Sequence, residues 1–253
     1  MQKDSGKIKT ITKAAKVLMA ISLGNSRLSD IAREVNISKN GVFRLLHSLK
    51  EERMVIQDPI TREYFMGPML FEINVNPLIT HEHLISIAYM EIDELKRATG
   101  ETIVLSIKFG LEQMALRRLI GTYDVAYIGK ANPISHLWLG ATGKVLMAQL
   151  SSNDLDVLIN YITLIKATPY SITDKKVFKQ EIMKVKEKGY ATSFSEDEMG
   201  VASIATPISG YISPAALAII GPNDRLASHI EEYVEALKTT SQKISQQLIR
   251  GRE

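Results

Sequence analysis

The sequence predicts an α+β protein in which a small helical domain precedes a larger α/β domain. Three short runs of apolar residues at helical spacing fill the first fifty positions, and a strand-turn-strand pattern follows them. Beyond residue 100, helical runs alternate with short apolar runs typical of buried strands. The first fifty positions also hold ten Lys or Arg against three Asp or Glu, a net charge of +7 in a chain of +3. Clustered cations attract polyanions such as nucleic acid, although a solvated basic face is the alternative.

The chain of 253 residues is long enough for two domains, which we expect to span residues 1–69 and 70–253. No apolar run reaches the ~20 residues of a membrane span, and the N-terminus lacks the apolar segment of a signal peptide. We therefore expect a cytoplasmic protein without a membrane partner. The chain has no cysteine, which excludes disulfides, thiolate catalysis and cysteine-ligated zinc.

The first predicted helix ends at Gly24, which is placed as a C-terminal cap. Its core-facing stripe is expected to hold the apolar residues at 3–4 spacing, Ile8, Ile11, Ala15 and Leu18. Three more apolar residues, Val17, Met19 and Ile21, lie outside that stripe. We expect these three to form a contact between subunits.

Two further short helices are separated only by residues 36 and 37, which is the outline of a helix-turn-helix. The second of them covers residues 38–51, with Ser38 as N-cap. Its apolar stripe comprises Val42, Leu45, Leu46 and Leu49. In a helix-turn-helix this second helix enters the major groove of double-stranded DNA, and a two-fold homodimer or homotetramer matches a palindromic operator.

The opposite face of that helix carries hydrogen-bond donors and cations. Gly41 on this face allows two interpretations, close approach of the backbone to DNA or a glycine that the first turn simply tolerates. The predicted DNA-contacting residues of the helix are Ser38, Lys39, Asn40, Gly41, Phe43, Arg44 and His47. Lys7, Lys9 and Arg62 are predicted to contact phosphates or the minor groove.

A hairpin follows the helix pair, with strands predicted at residues 54–57 and 63–66 and a turn opening at Asp58 and Pro59. A hairpin in this position is the wing of a winged helix-turn-helix. Arg62 lies at or near its tip, where it either contacts DNA or is an exposed turn residue without a ligand. A linker helix is expected at about residues 68–80.

The rest of the chain reads as an α/β domain. Helices are predicted at residues 81–99, 139–150, 155–165 and 177–188, and strands at 101–107, 114–120, 190–193, 202–208 and 215–220. Asn223 is expected to cap one long final helix.

The second domain holds few candidates for catalysis. Gly140 to Lys144 lacks the spacing of a phosphate-binding loop, but the N-terminus of the helix there can receive a carboxylate. Glu196, Asp197 and Glu198 with the distant His136 suggest a metal or acid-base site, but adjacent carboxylates in one loop are usually solvated. We expect no catalytic residue, no bound metal and no cofactor. An enzyme on this domain, or a sensor or adaptor that uses the helices for protein contact, remains the alternative.

Several motifs in order along nearly the whole chain resemble the IclR family of bacterial transcriptional regulators. They are IAREVNISKNGVFRLLHSL, FMGPMLFEI, TGETIVLSI, GATGKVLMA, GYATSFSEDEMGVASIATPI and AIIGPNDRL. The resemblance implies a winged helix-turn-helix domain joined by a linker helix to a GAF-like α/β effector-binding domain. It also implies dimers or tetramers that repress or activate operons for the catabolism of small organic acids and aromatics. We therefore expect a ligand-responsive DNA-binding regulator, with repression as the expected outcome.

Carried over by motif, the effector-binding residues are Trp138, Ala141, Thr142, Ser193, Val201, Ser203, Ala218 and Ile220. Ser193 stands where relatives that bind small oxo-acids have an aspartate, and Ala218 and Ile220 stand where those relatives have serines. These departures predict a less polar pocket, and so an effector that is a small carboxylate with an apolar or aromatic body. Plain core packing is the alternative role for each of these residues.

Overall fold

The computed structural model describes residues 8–74, 81–129 and 132–250, and the chain divides into two compact units, Met1–Thr80 and His81–Glu253. The division falls eleven residues after the boundary expected at 69, so the described part of the linker helix belongs to the first unit. Lys7 and the rest of the expected linker, residues 75–80, lie outside the described residues. No helix among the described residues is long and apolar enough to span a bilayer.

The first unit is a winged helix-turn-helix, as the sequence predicts. Its elements are α1 (Lys9–Ser22), α2 (Leu28–Glu34), α3 (Lys39–Glu51), β1 (Val55–Gln57), β2 (Tyr64–Met66) and α4 (Pro68–Asn74). β1 and β2 pair antiparallel and form the hairpin. The apolar stripe of α3 packs as expected, because Val42, Leu46 and Leu49 are buried against α1, α2 and the hairpin.

The orientation of α1 differs from the prediction. Val17 and Ile21 are buried in the core of the unit, whereas Ile8 and Ile11 are 63% and 64% exposed. Both predictions for α1 are therefore wrong for most of their residues. Of the predicted core stripe Leu18 alone packs against the core, where it is partly buried, and of the predicted subunit contact Met19 alone is exposed. The reason is that α1 has apolar residues on more than one side, and only packing against α2 and α3 selects the side that is buried.

The second unit is an α/β domain around a six-stranded antiparallel sheet with the order β5-β4-β3-β8-β7-β6. The strands are β3 (Thr102–Phe109), β4 (Glu112–Leu119), β5 (Ile134–His136), β6 (Ala191–Phe194), β7 (Val201–Ile208) and β8 (Ala215–Pro222). The helices are α5 (Glu82–Thr99), α6 (Gly140–Ala148), α7 (Ser152–Tyr161), α8 (Lys175–Lys188), α9 (Asn223–Ser228) and α10 (Ile230–Arg250).

Alternate residues of the central strands pack into two separate cores. Leu217 and Ile219 of β8 belong to the core shared with α5 and α10, while Ala216 and Ala218 belong to the core shared with α6, α7 and α8. Because successive side chains of a strand point to opposite faces, the helices form one layer on each side of the sheet. The continuous apolar run of β8 is what a strand buried on both faces requires.

Two elements of the second unit differ from the prediction. The short strand β5 was not expected, and the final helical region is two helices interrupted at His229. Asn223 does not cap α9 with its side chain. Its amide Nδ2 instead donates to the hydroxyl of Ser195, 2.7 Å away in the loop after β6. This tertiary contact competes with local capping, and sequence spacing does not reveal it.

Candidate nucleic-acid interface and ligand pocket

The N-terminal end of α3 presents an exposed polar surface. The hydroxyl of Ser38 accepts the backbone N–H of Gly41 at 3.3 Å, which caps the helix as expected. The side chains of Lys39, Asn40 and Arg44 are exposed, and Phe43 is 52% exposed. This surface therefore offers two cations, an amide and an aromatic ring to a partner without unfolding any part of the core.

His47 and Gly41 have neighbours within the helix itself. The Nδ1 atom of His47 lies 3.6 Å from a carboxylate oxygen of Glu51, one turn further along an exposed face. A Cβ atom added at Gly41 would lie 2.9 Å from Ile37 and 3.1 Å from the Ser38 hydroxyl. The glycine thus keeps room for the N-terminal cap, which is a structural reason that stands beside close approach to DNA.

The wing is held by a side-chain cap in its turn. The carboxylate of Asp58 accepts the backbone N–H groups of Ile60 and Thr61, at 2.8 and 2.7 Å. These two hydrogen bonds lower the pKa of the Asp58 carboxyl, and the bond from Thr61 has the larger effect. Arg62 follows with a left-handed φ of 61°, and its side chain is exposed beside the turn. Arg62 is therefore presented outward from a turn of defined geometry.

A basic groove lies beside the turn of the helix-turn-helix. Lys9 is exposed at the start of α1, and it lines this groove with Lys13, Lys16 and the turn residue Asn36. Sequence analysis named only Lys9 of these lysines. The i, i+4, i+7 spacing of Lys9, Lys13 and Lys16 was the signal that could have placed all three on one face. A row of lysines suits the phosphate backbone, which attracts cations irrespective of base sequence.

The second unit contains a pocket between the sheet and the N-terminus of α6, which we call the polar pocket. Its volume is about 90 Å³. It is lined by Val104, Ser106, Gln113, Ala115, Arg118, Tyr127, Asn132, Pro133, Ser135, Leu139, Gly140, Thr142, Ser193, Asp197, Glu198, Val201, Ser203 and Ile220. Hydroxyl, amide and charged side chains make up more than half of this lining, so the pocket is more polar than the sequence suggested.

Five of the predicted effector-binding residues line this pocket, namely Thr142, Ser193, Val201, Ser203 and Ile220. The other three do not. Ala141 and Ala218 are fully buried in the core beneath α6. Trp138 stacks on His136 with ring centroids 4.5 Å apart and packs against the same core. Their roles in the structure are packing, which was the alternative stated for each of them.

The N-terminus of α6 is built by close packing. Gly143 lies directly beneath the preceding loop, because a Cβ added there would be 1.8 Å from the carbonyl oxygen of Leu137. The N–H of Ala141 donates to the hydroxyl of Ser203 at 3.1 Å. One of the N–H groups expected to receive a ligand carboxylate is thus bound to Ser203, while Gly140 and Thr142 line the pocket.

A buried ion pair joins α6 to the loop between β6 and β7. Lys144 is 1% exposed, and its ammonium lies 2.6 Å from a carboxylate oxygen of Glu196 and 3.1 Å from the carbonyl oxygen of Thr192. Burial raises the pKa of the Glu196 carboxyl, and Lys144 opposes that rise. The loop fixed in this way supplies Asp197 and Glu198 to the pocket wall. Glu196 therefore anchors this loop to α6. Among the described residues, no group of three or more His, Asp or Glu residues is arranged to hold a metal ion.

The lining residues that sequence analysis missed come mainly from β3, β4 and the segment before α6. Gln113 is buried on β4, and its Nε2 donates to the carbonyl oxygens of His136 and Leu139 at 3.2 and 3.1 Å. Arg118 lies on the same strand, and its guanidinium donates to the carbonyl oxygen of Ile128. No sequence motif marks these positions, because the pairing of β3, β4 and β5 brings them together.

Comparison with known families identifies this two-part architecture. The family model described as the bacterial transcriptional regulator IclR C-terminal domain matches residues 77–246, and the IclR helix-turn-helix domain matches residues 10–59. The chain belongs to the IclR family. It is a transcriptional regulator with a helix-turn-helix DNA-binding domain, and regulators of this family are not enzymes.

Relatives with similar sequences span almost the whole chain. The HTH-type transcriptional regulator KdgR of Escherichia coli is 28% identical over 98% of this chain and 95% of its own length. The glycerol operon regulatory protein of Streptomyces coelicolor is 27% identical over 97% of this chain and 98% of its own. Relatives of this IclR-family chain therefore regulate operons.

Solved structures agree with the fold. The crystal structure of Thermotoga maritima IclR superposes with a TM-score of 0.75 at 26% identity, covering 96% of this chain and 100% of that one. An IclR homolog from Microbacterium hydrocarbonoxydans, complexed with 4-hydroxybenzoate, has a TM-score of 0.75 at 19% identity and covers 96% of this chain and 99% of its own.

Proposed function

We propose that this IclR-family regulator binds a palindromic operator as a homodimer or homotetramer, and that a small organic acid in the polar pocket changes its DNA affinity. The expected result is repression of a catabolic operon in the cytoplasm, relieved when the acid binds. The observation that carries the proposal is the exposed, capped end of α3 in a segment of net charge +7, combined with a ligand-sized pocket in the second unit. A sensor or adaptor without DNA affinity is the competing function.

DNA recognition is tested by Arg44→Ala in an operator titration. Arg44 is exposed and lies off the apolar stripe of α3, so the fold should not change. Loss of a guanidinium that reads a base edge should weaken binding by about 1–3 kcal/mol. Arg97→Ala is the matched control, because that arginine is 69% exposed on α5 of the second unit. Equal operator affinity of the two variants would remove Arg44 from the interface.

Salt dependence separates DNA binding from the adaptor alternative. If Lys9, Lys13 and Lys16 neutralise phosphates, the logarithm of the binding constant should fall linearly with the logarithm of salt concentration. Replacing one of these lysines by alanine should reduce that slope by about one unit and weaken specific and non-specific DNA alike. A protein that retains no DNA at low salt would refute the proposed function.

Assembly is proposed to use the exposed apolar face of α1. Ile8, Ile11 and Met19 are each more than 60% exposed, and Leu23 is 71% exposed, although all four are large apolar residues. Covering such a stripe with a second copy removes apolar surface from water. Met19→Glu should therefore shift the sedimentation equilibrium toward monomer, whereas Lys13→Glu, on the same helix, should shift it much less. A wild-type protein that sediments as a 28.2 kDa monomer at micromolar concentration would contradict this proposal.

The effector is proposed to be an organic acid, and the relative complexed with 4-hydroxybenzoate supports that class. An apolar or aromatic body is the prediction made from the sequence, and of the residues behind it Val201 and Ile220 line the pocket. A true effector stabilises the fold by about 2.7 kcal/mol at a hundredfold excess over its Kd. Acids that raise the melting temperature should also change operator affinity and derepress a reporter. If glyoxylate and pyruvate alone raise it, the apolar body is refuted.

A further inference from the structure

One buried acceptor in the polar pocket lacks a donor. Gln113 is 8% exposed, and its Nε2 donates to two carbonyl oxygens, those of His136 and Leu139. The orientation of the amide is therefore determined, because a flipped amide would place its oxygen against two acceptors. Oε1 is buried and has no hydrogen-bond partner within the described part of the chain. A buried acceptor without a partner destabilises the protein unless a water or a ligand donates to it.

The pocket also holds hydroxyls that are not engaged. The side chains of Ser106, Thr142 and Ser193 are buried in the lining, and their hydroxyls make no hydrogen bond to any other described residue. Each hydroxyl can donate or accept, whereas the Gln113 oxygen can only accept. A carboxylate satisfies the hydroxyls but cannot donate to Gln113. A ligand that satisfies the whole lining would therefore carry both acceptor oxygens and at least one hydrogen-bond donor.

The size of the pocket restricts that ligand further. Its volume is about 90 Å³. An enclosed apolar cavity of about 150 Å³ is known to hold one benzene molecule, so an aromatic ring with a carboxylate would extend beyond the 90 Å³ of this partly open pocket. A compact acid of a few carbon atoms fits without rearrangement of the walls.

We infer that the effector is a compact hydroxylated carboxylic acid whose hydroxyl donates to Gln113 Oε1. This inference rests on the proposed function and replaces the apolar or aromatic body with a polar one. The carboxylate would accept from the pocket hydroxyls, with the guanidinium of Arg118 in the same lining. A hydroxyl is proposed here rather than an ammonium, because a neutral group loses less on leaving water than a charged one does. The carboxylates of Asp197 and Glu198 in the same lining would favour an ammonium, so alanine is included in the test.

The inference is tested with acids that differ at one group. Lactate and 3-hydroxypropionate carry a hydroxyl, propionate lacks it, 2-methoxypropionate keeps the oxygen but cannot donate, and alanine carries an ammonium. Binding to the full-length protein is measured by isothermal titration. At least one hydroxy acid should bind about tenfold or more tightly than propionate, because propionate lacks the hydroxyl and leaves the Gln113 oxygen unpaired. The methoxy acid should bind no better than propionate.

The variant Gln113→Met assigns the preference to this residue. The measured quantity is the ratio of the Kd values of propionate and the hydroxy acid, because a general disturbance of the pocket weakens both acids alike. That ratio should fall to near one in the variant and stay unchanged in Lys184→Ala, an exposed change on α8. If Gln113→Met does not fold, the comparison of lactate with propionate on the wild type still tests the inference, because propionate lacks the donor and adds no atom to the pocket.

Each result has one meaning. Equal binding of propionate and the hydroxy acids overturns the inference, leaves an organic-acid pocket intact and indicates that a water serves Gln113. Preference for alanine also overturns it. Absence of binding by every acid at millimolar concentration, with operator binding intact, overturns it as well. Loss of operator binding by the wild type is a failure of the proposed function and not of this inference.

Discussion

Replacing Lys144 by methionine tests how the wall of the polar pocket is held. Lys144 is 1% exposed and lies 2.6 Å from Glu196, and a second carboxylate, that of Glu181, is 3.9 Å away. Methionine keeps the length and most of the volume of the side chain but removes the charge. Glu196, whose side chain is 17% exposed, would then hold a mostly buried carboxylate without its cation. We expect this unpaired charge, rather than a cavity, to dominate the effect.

The expected loss is large because one partner of a buried pair is removed. Such changes destabilise proteins by about 3–5 kcal/mol. For a unit the size of residues 81–253, each kcal/mol lowers the melting temperature by about 2–4 °C, so the transition should fall by about 6–20 °C. Thermal unfolding followed by circular dichroism measures it. The double variant Lys144→Met with Glu196→Met should recover most of the loss, since an apolar pair of similar volume often replaces a buried ion pair without a penalty.

The pH dependence of Lys144→Met gives a second readout. Burial already raises the pKa of Glu196 while Lys144 opposes the rise, so the variant should raise that pKa further above its ordinary value. A folded state with a raised carboxyl pKa takes up a proton more readily than the unfolded state does. The deficit relative to the wild type should therefore be largest near pH 8 and shrink as the pH falls through the raised pKa. A deficit below about 1 kcal/mol, or one independent of pH, would refute the reasoning.

Three further predictions concern backbone packing, capping and titration. Gly143→Ala should lower the free energy of unfolding by about 3 kcal/mol or more, because the added Cβ would lie 1.8 Å from the carbonyl oxygen of Leu137. The control Gly110→Ala, which has open space around it, should lower it by about 1 kcal/mol. Urea unfolding measures both. Ser38→Ala should lower the stability of the first unit by about 1 kcal/mol in the same assay, through loss of its cap. Burial lowers the pKa of His81, so stability should fall as the pH drops below about 6.5, and His81→Asn should remove that component of a pH titration of the melting temperature.

The α3 helix shows where local pattern was sufficient. Its buried residues, Val42, Leu46 and Leu49, repeat at helical spacing. The hydroxyl of Ser38 caps the helix by accepting the backbone N–H of Gly41, three residues further along the chain. Both signals act over one turn of chain, so they hold whatever the rest of the protein does. The exposed face follows from them, because it is what remains when the apolar stripe is buried.

The α1 helix shows where local pattern failed. Its apolar residues lie on two sides, and hydrophobicity does not rank Val17 above Ile11. Packing against α2 and α3 buries Val17 and leaves Ile11 exposed. The choice between two possible stripes depends on neighbours that are distant along the chain.

The polar pocket combines residues that the sequence predicted with residues that it did not. Thr142, Ser193 and Ser203 were found because they lie in motifs carried over from the family, and they line the pocket. Gln113 was missed, since in the sequence it is one polar residue in an ordinary strand. Its role depends on β4 pairing with both β3 and β5, which brings it beside the loop that precedes α6.

The sequence by itself determined the two-part α+β architecture, the helix-turn-helix and the exposed polar face of α3, because periodicity, capping and turn chemistry act between residues a few positions apart. Tertiary structure decided which face of α1 is exposed, that Lys144 is buried against Glu196, and that hydroxyl, amide and charged side chains line the pocket. The contacts behind these features join residues that are distant in the sequence. Lys144 and Glu196 are 52 positions apart, and Ala141 and Ser203, which bond beside the pocket, are 62 positions apart. Contacts across such separations are set by strand order and register, which no local pattern specifies.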